Sequence, residues 1–275
     1  MSTIKSSAEN LTLNADGANN DIIFQSNGSN VATLDQAGLF TATSYAGSGA
    51  NLTNLPSTST ADIRSAATLQ ITADDNIGLG TNAVNSITTG DYNLGFGLNA
   101  GTAITSGSNN IGIGADALLV NNTGDNNTAV GTNSMRANTT GHSNVAVGNS
   151  ALDANISGNY NLAVGRASLG GNTTGGGNIS VGASTLLTNT TGGDNVAMGN
   201  DALRANTTAS NNSAFGNASL QANTTGTGNV AMGSVALDAN TTGNYNVAVG
   251  RNALGANTTG HNSVAIGTEA LLTNT

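Results

Sequence analysis

A glycine stands at every seventeenth position from Gly80 to Gly267, twelve times, without one insertion or deletion. Ordinary globular domains vary in loop length from one element to the next. A chain whose coils stack on one another cannot do so without losing register. The period therefore selects a repeat rod before any other property is weighed. The units open at Asn76, Asn93, Asn110, Asn127, Asn144, Asn161, Asn178, Asn195, Asn212, Asn229 and Asn246, with Ser263 at the twelfth, and their consensus is N-V-A-V-G-x-x-A-L-x-A-N-T-T-G-x-x.

Each position of the unit carries a structural expectation. Positions 2 and 4 are mostly apolar, as in Val145/Val147 and Val247/Val249, with Val164 and Val181 in the same column, and a tiny residue lies between them. That alternation reads as a short strand with one large-residue face and one face small enough to lie against another backbone. The fifth residue is always glycine, through Gly131, Gly148, Gly165, Gly182, Gly199, Gly216, Gly233 and Gly250. It marks a position that needs φ > 0 or has no room for a Cβ. The A-L-x-A stretch, with Leu152, Leu169, Leu186 and Leu203 among its recurring leucines, is too short for a helix. It reads as a second strand or bent segment whose leucines stack in a column. The N-T-T-G sequence that follows has the Asn and Gly of a tight turn. One coil is thus strand, turn, strand, turn, and the repeated opening Asn is expected to form an internal hydrogen-bonded ladder.

Composition sharpens this. Aromatic residues make up 3% of the 275 residues and charged residues 8%, whereas glycine numbers 38, so no ordinary globular core can form and stability must come from stacking many thin layers. Strict periodicity argues against the disorder that a Gly- and Asn-rich composition otherwise suggests. So short a coil encloses few apolar side chains, which leaves one apolar face of a lone chain wet and makes self-association the simplest remedy. Twelve coils about 4.8 Å apart give a shaft on the order of 60 Å long.

Several function classes fall away. The net charge of −9, with only six scattered basic residues, offers no stripe for phosphates, so no nucleic-acid partner is expected. Without cysteine there are no thiolate metal ligands and no cysteine nucleophile. His142 and His261 share a repeat position seven coils apart and cannot form a catalytic pair within one chain. Arg136 and Arg204 share another position, read as solvated surface. Asp74-Asp75 and Asp125 lie outside any calcium-loop pattern. G-x-G matches such as Gly78-Leu79-Gly80 are products of the repeat. The reading is therefore no enzyme, no cofactor and no metal. Adjacent threonines in a glycine-closed turn do not place hydroxyls at i and i+2 on one flat face, which counts against ice binding. The N-T-T sequons matter only on a secretory route, and the N-terminal residues lack the apolar core of a signal; no membrane insertion is expected.

The repeated N-V-A-V-G-x-x-A-L, clearest at Ser263-Val264-Ala265-Ile266-Gly267-Thr268-Glu269-Ala270, resembles the head repeats of trimeric autotransporter adhesins. That resemblance implies a left-handed β-roll and three chains to a rod, although those heads use a shorter repeat and here N-T-T-G-x-x lengthens the outer turn. The segment 1–58 differs: Leu11–Gly17, Asp21–Gly28, Ala37–Tyr45 and Gly47–Pro56 alternate strand-like runs with Gly/Asn turns, in an order similar to segments of bacteriophage tail fibres. Residues 59–75 read as a linker, with one or two helical turns at Ala61–Ala67.

The expectation is an all-β protein: a β-solenoid or β-roll shaft over 76–275, an intertwined homotrimeric rod, preceded by a β-rich attachment segment over 1–58. The function expected is structural, in an external appendage of a phage virion, made in the host cytoplasm. Its partners would be other virion or fibre proteins at the N-terminal segment and at the C-terminal end, where the chain stops within a coil, and a host-surface glycan if the fibre contributes to adhesion. The alternative is a free-standing adhesin-type or ice-binding solenoid. An autotransporter would need an export signal and a membrane barrel, and the sequence shows neither, which favours the phage fibre.

Overall fold

The computed structural model describes residues 22–26, 29–34, 40–42, 69–71 and 75–272. The runs at 11–17 and 47–56 and the helical turns expected at 61–67 lie outside the described residues. The chain divides into two compact units, Met1–Pro56 and Ser57–Thr275.

In the first unit, β1 (Ile22–Ser26), β2 (Ser29–Leu34) and β3 (Phe40–Ala42) form a three-stranded antiparallel sheet in the order β1-β2-β3. Ser26 pairs with Ser29, and the two residues that separate them in sequence, Asn27-Gly28, are a dipeptide favoured between hairpin strands.

The second unit is a parallel β-solenoid of about eleven 17-residue coils. It is built on three-residue strands from β5 (Ile77–Leu79) to β16 (Val264–Ile266), each pairing in parallel with its counterpart in the next repeat. Leu162 pairs with Val145, Ala163 with Ala146 and Val164 with Val147, so every side chain stacks on its counterpart one coil away. At the start, β4 (Leu69–Ile71), which falls in the span expected as a linker, runs antiparallel to β5 and covers the edge that the first coil would otherwise expose.

Within each coil the small middle residue of the strand points inward and its large neighbours point out. Ala146, Ala163 and Ala197 are fully buried. The interior is narrow here: even at Gly112 an added Cβ would lie 3.3 Å from the carbonyl oxygen of Ala117 across the coil. The core is therefore three stacked columns, the strand alanines, the small residues at position 8 and the leucines at position 9, buried up to the last coil, where Ala270 is partly buried and Leu271 exposed.

Of the two forms expected for the A-L-x-A stretch, a second strand or a bent segment, the structure shows the bent one: it is a run of turns, leaving one strand per coil where two were expected. The reason lies at the leucine, whose backbone is left-handed, with φ of 55° at Leu152, 51° at Leu169 and 50° at Leu186 and Leu203. That conformation costs roughly 1–2 kcal/mol at a non-glycine residue, and burial of the whole side chain, about 1.5–3 kcal/mol, offsets it. The turn residues still bond from coil to coil. The Ser150 N–H donates to Thr132 O (3.0 Å) in the preceding coil, and the Leu152 N–H to Ser168 O (2.9 Å) in the following one.

The invariant glycine satisfies both conditions expected of it. Gly148 has φ of 139°, and a Cβ on it would sit 2.5 Å from the carbonyl oxygen of Gly165, directly above it. Gly131, Gly165, Gly182, Gly199, Gly216, Gly233 and Gly250 repeat the arrangement, with φ between 131° and 142°.

Two asparagine ladders run through the interior, one from the first coil and one from the third, where Asn121 follows Ile87 and Ile104. In the first, Asn161 Oδ1 accepts from the N–H (3.0 Å) and Nδ2 (3.1 Å) of Asn178, while Asn161 Nδ2 donates to Asn144 Oδ1 (3.1 Å) and Gly175 O (2.9 Å). This is the coil-to-coil ladder expected of the opening Asn. The second is formed by the Asn of N-T-T-G: Asn172 Nδ2 donates to Asn155 Oδ1 (2.9 Å) and also to Gly175 O (2.9 Å). The two ladders meet at that carbonyl, and the equivalent carbonyl crosslinks both columns in each coil from Gly124 on.

Candidate interaction surface

With the small residues inside, the outward side chains of the strand sheet are those at positions 2 and 4. They form two parallel columns running the length of the solenoid, from Ile77/Leu79 to Val264/Ile266, and none of them is charged. Val147, Val164 and Val181 lie in the position-4 column. Many of these large apolar residues are more than a third exposed, including Val147 at 39%, Met198 at 42% and Phe96 at 51%. The bulk of the columns varies. Leu162 and Ile179 make the position-2 side heavier than Val164 and Val181 opposite. In the next three coils the position-4 side is heavier, with Met198, Phe215 and Met232 beside Val196, Ser213 and Val230.

The remaining faces are mainly polar and bonded from coil to coil, with scattered exposed side chains such as Leu98, Ile156, Tyr92, Tyr160 and Tyr245. The position-13 threonines are half-buried, or exposed at the first and last coils, and their hydroxyls donate to the next coil: Thr139 Oγ1 to Ile156 O and Thr173 Oγ1 to Thr190 O, at 3.0 and 2.9 Å. Only the position-14 threonines, such as Thr140, Thr174 and Thr191, form an exposed column, and a single column is not a two-dimensional array. A third hydrogen-bonded series, missed from the sequence, lies at position 16. There a side-chain acceptor takes the backbone N–H of the same position one coil earlier: Asp125 Oδ1 from Ser108 (2.8 Å), Asn159 Oδ1 from His142 (2.8 Å), His261 Nδ1 from Asn244 (2.9 Å). The variety of residue types hid it, since Ser, Asp, Asn and His share only the ability to accept.

These bonds assign structural surroundings to the residues that most resembled chemistry. His142 packs edge-on against Tyr160, ring centroids 4.9 Å apart, and His261 lies in the acceptor series. Arg136 pairs with Asp153 (3.1 Å) and Arg204 with Asp201 (3.6 Å), both half-exposed contacts of the kind worth under about 1 kcal/mol. Among the described residues no three His, Asp or Glu side chains converge on a point, and no helix is long and apolar enough to cross a membrane. Among the described residues the strand face is thus the continuous uncharged surface with a run of exposed apolar side chains. Comparison with protein-family models, with characterised proteins and with solved structures finds no match for this chain, so the functional argument rests on that face.

Proposed function

We propose that this chain is a structural shaft, a homotrimeric fibre protein in an external appendage of a phage virion. The N-terminal sheet segment would attach to a neighbouring fibre or virion protein, and the shaft would project towards the host surface, where a glycan would be the ligand in adhesion. One observation carries the self-association: the uncharged strand face. At about 60 Å by 10 Å it amounts to roughly 600 Å² per copy, at the upper limit of what monomeric proteins leave exposed. Three such faces closed around one axis bury about 1,800 Å² in all, within the range of stable interfaces. A shaft is also what the interior suits. Its ladders tie the coils to their neighbours and leave little freedom to bend. The attachment to a virion rests on the resemblance of the N-terminal motifs to tail-fibre segments.

Sedimentation equilibrium of the purified chain, together with antibody labelling of purified particles, tests this reading. A mass three times 26.8 kDa and label on the appendages are expected. A monomer at tens of micromolar, or particles without label, would overturn it.

A further inference from the structure

The two columns of the strand face are not interchangeable, and their uneven bulk carries information about how copies meet. Consider any rotational symmetry whose axis runs along the shaft. Copies then lie parallel and in register, and each strand face meets its neighbour so that position 2 of one copy opposes position 4 of the next at the same coil level. A twofold axis across the shaft has a different result. Copies then run antiparallel, position 2 opposes position 2, position 4 opposes position 4, and early coils meet late ones.

The side chains discriminate between these arrangements. In the parallel one, Leu162 and Ile179 would face Val164 and Val181 of the neighbour, while Val196, Ser213 and Val230 would face its Met198, Phe215 and Met232. Every bulky residue in this five-coil stretch meets a slim one. Ser213, the smallest outward residue in either column, would receive Phe215, as large as any. In the antiparallel arrangement with ends aligned, Ser213 would face Thr128, placing the face's two hydroxyl-bearing residues and a gap opposite each other. Phe215 would then meet Val130. A void in an apolar seam forfeits contact on every atom that lines it, and a hydroxyl there lacks an assured partner.

We propose that copies of this chain pack parallel and in register through their strand faces, and that Phe215 of one copy fills the space over Ser213 of the next, fixing the register of the rod. This rests on the self-association proposed above and adds its polarity and alignment. Twelve nearly identical coils would otherwise tolerate a slip of one coil, about 4.8 Å, at small cost. In register Phe215 meets Ser213, the smallest partner the column offers, whereas a slip of one coil sets it against Val196 or Val230.

Two experiments on the full chain decide it. In the first, Ser213→Phe should weaken association at least tenfold by setting ring against ring, and the exchanged variant Ser213→Phe/Phe215→Ser should restore it. If the exchanged variant associates no better than Ser213→Phe, with circular dichroism unchanged in both, the proposal fails. In the second, the absence of native cysteine allows site-directed crosslinking. Facing backbones about 10 Å apart suit a short bismaleimide rather than a disulfide. Copies bearing Ser213→Cys mixed with copies bearing Phe215→Cys should crosslink, whereas Ser213→Cys mixed with Thr128→Cys should not, since five coils, about 24 Å, separate those positions in register. Crosslinking of the second mixture, or of neither in a chain that sediments as an oligomer, overturns the register and leaves self-association standing. A chain that sediments as a monomer overturns both.

Discussion

Replacing Asn161 by Ala probes the ladder that holds the coils together. The backbone N–H of residue 161 keeps its acceptor, Asn144 Oδ1 (2.9 Å), but four bonds made by the side chain disappear. Their loss is unequal. Gly175 O still accepts from Asn172 Nδ2, and Asn178 Nδ2 still donates to Gly192 O. The Asn178 N–H, fully buried, keeps no partner. An orphaned buried donor costs about 1–3 kcal/mol, and each of the other lost bonds about 0.5–1 kcal/mol, so the total is about 4 kcal/mol. Native-state hydrogen exchange reads this at single residues. Protection of the Asn178 amide should fall about a thousandfold, at about 1.4 kcal/mol per factor of ten. Thr140→Ala, at an exposed position, serves as the control and should leave that amide unchanged. If Asn178 loses less than a factor of ten in Asn161→Ala, the ladder is not what holds adjacent coils and the reasoning fails.

Three further outcomes follow from the same geometry. Gly148→Ala forces both a strained φ and a Cβ onto Gly165 O, and should lower stability by about 4 kcal/mol, while Gly112→Ala, at a position where most coils already carry Ala, should change it by under about 1 kcal/mol; urea denaturation of both variants checks the contrast. Ile104 stands in the second ladder where later coils have Asn, beside Gly101 where later coils have Leu, and a Cβ on Gly101 would come within 2.9 Å of Ile104 Cδ1. Asn189→Ile and Leu186→Gly should therefore each destabilise by about 2–4 kcal/mol alone and by markedly less than their sum together, as a double-mutant cycle would show. Burial holds the Asp238 carboxyl above its ordinary range. Its folded pKa exceeds the unfolded one, so its contribution is most favourable below the unfolded value and is lost as pH rises through the folded value; Asp238→Asn should flatten that part of the profile in thermal melts from pH 3 to 6.

The solenoid, its period, the glycine column and the opening Asn ladder were all legible in the sequence, because each depends on a residue type recurring at one position. The backbone of A-L-x-A was not. Leucine gives no local signal for a left-handed φ, and only the demand that its side chain enter a very thin interior puts it there. The second ladder was masked in the same way, since Asn in N-T-T-G has an adequate local explanation as a turn residue. Its role shows only when Asn172 Nδ2 and Asn161 Nδ2 are found on one carbonyl. The apolar outer face was visible as an alternation of large and small, but which side faced inward required the closeness of the strand to the opposite turn.

The claim on which all else depends is that each repeat unit makes one coil and that coils stack along a single axis. Spin labels on Thr132→Cys and Ser234→Cys, both at the exposed sixth position and six repeats apart, test it by pulsed dipolar spectroscopy, with labelled chains diluted into unlabelled ones. Six coils predict one narrow distance of about 29 Å. A broad distribution centred at about 55 Å, the span of a flexible chain of that length, would contradict the solenoid outright.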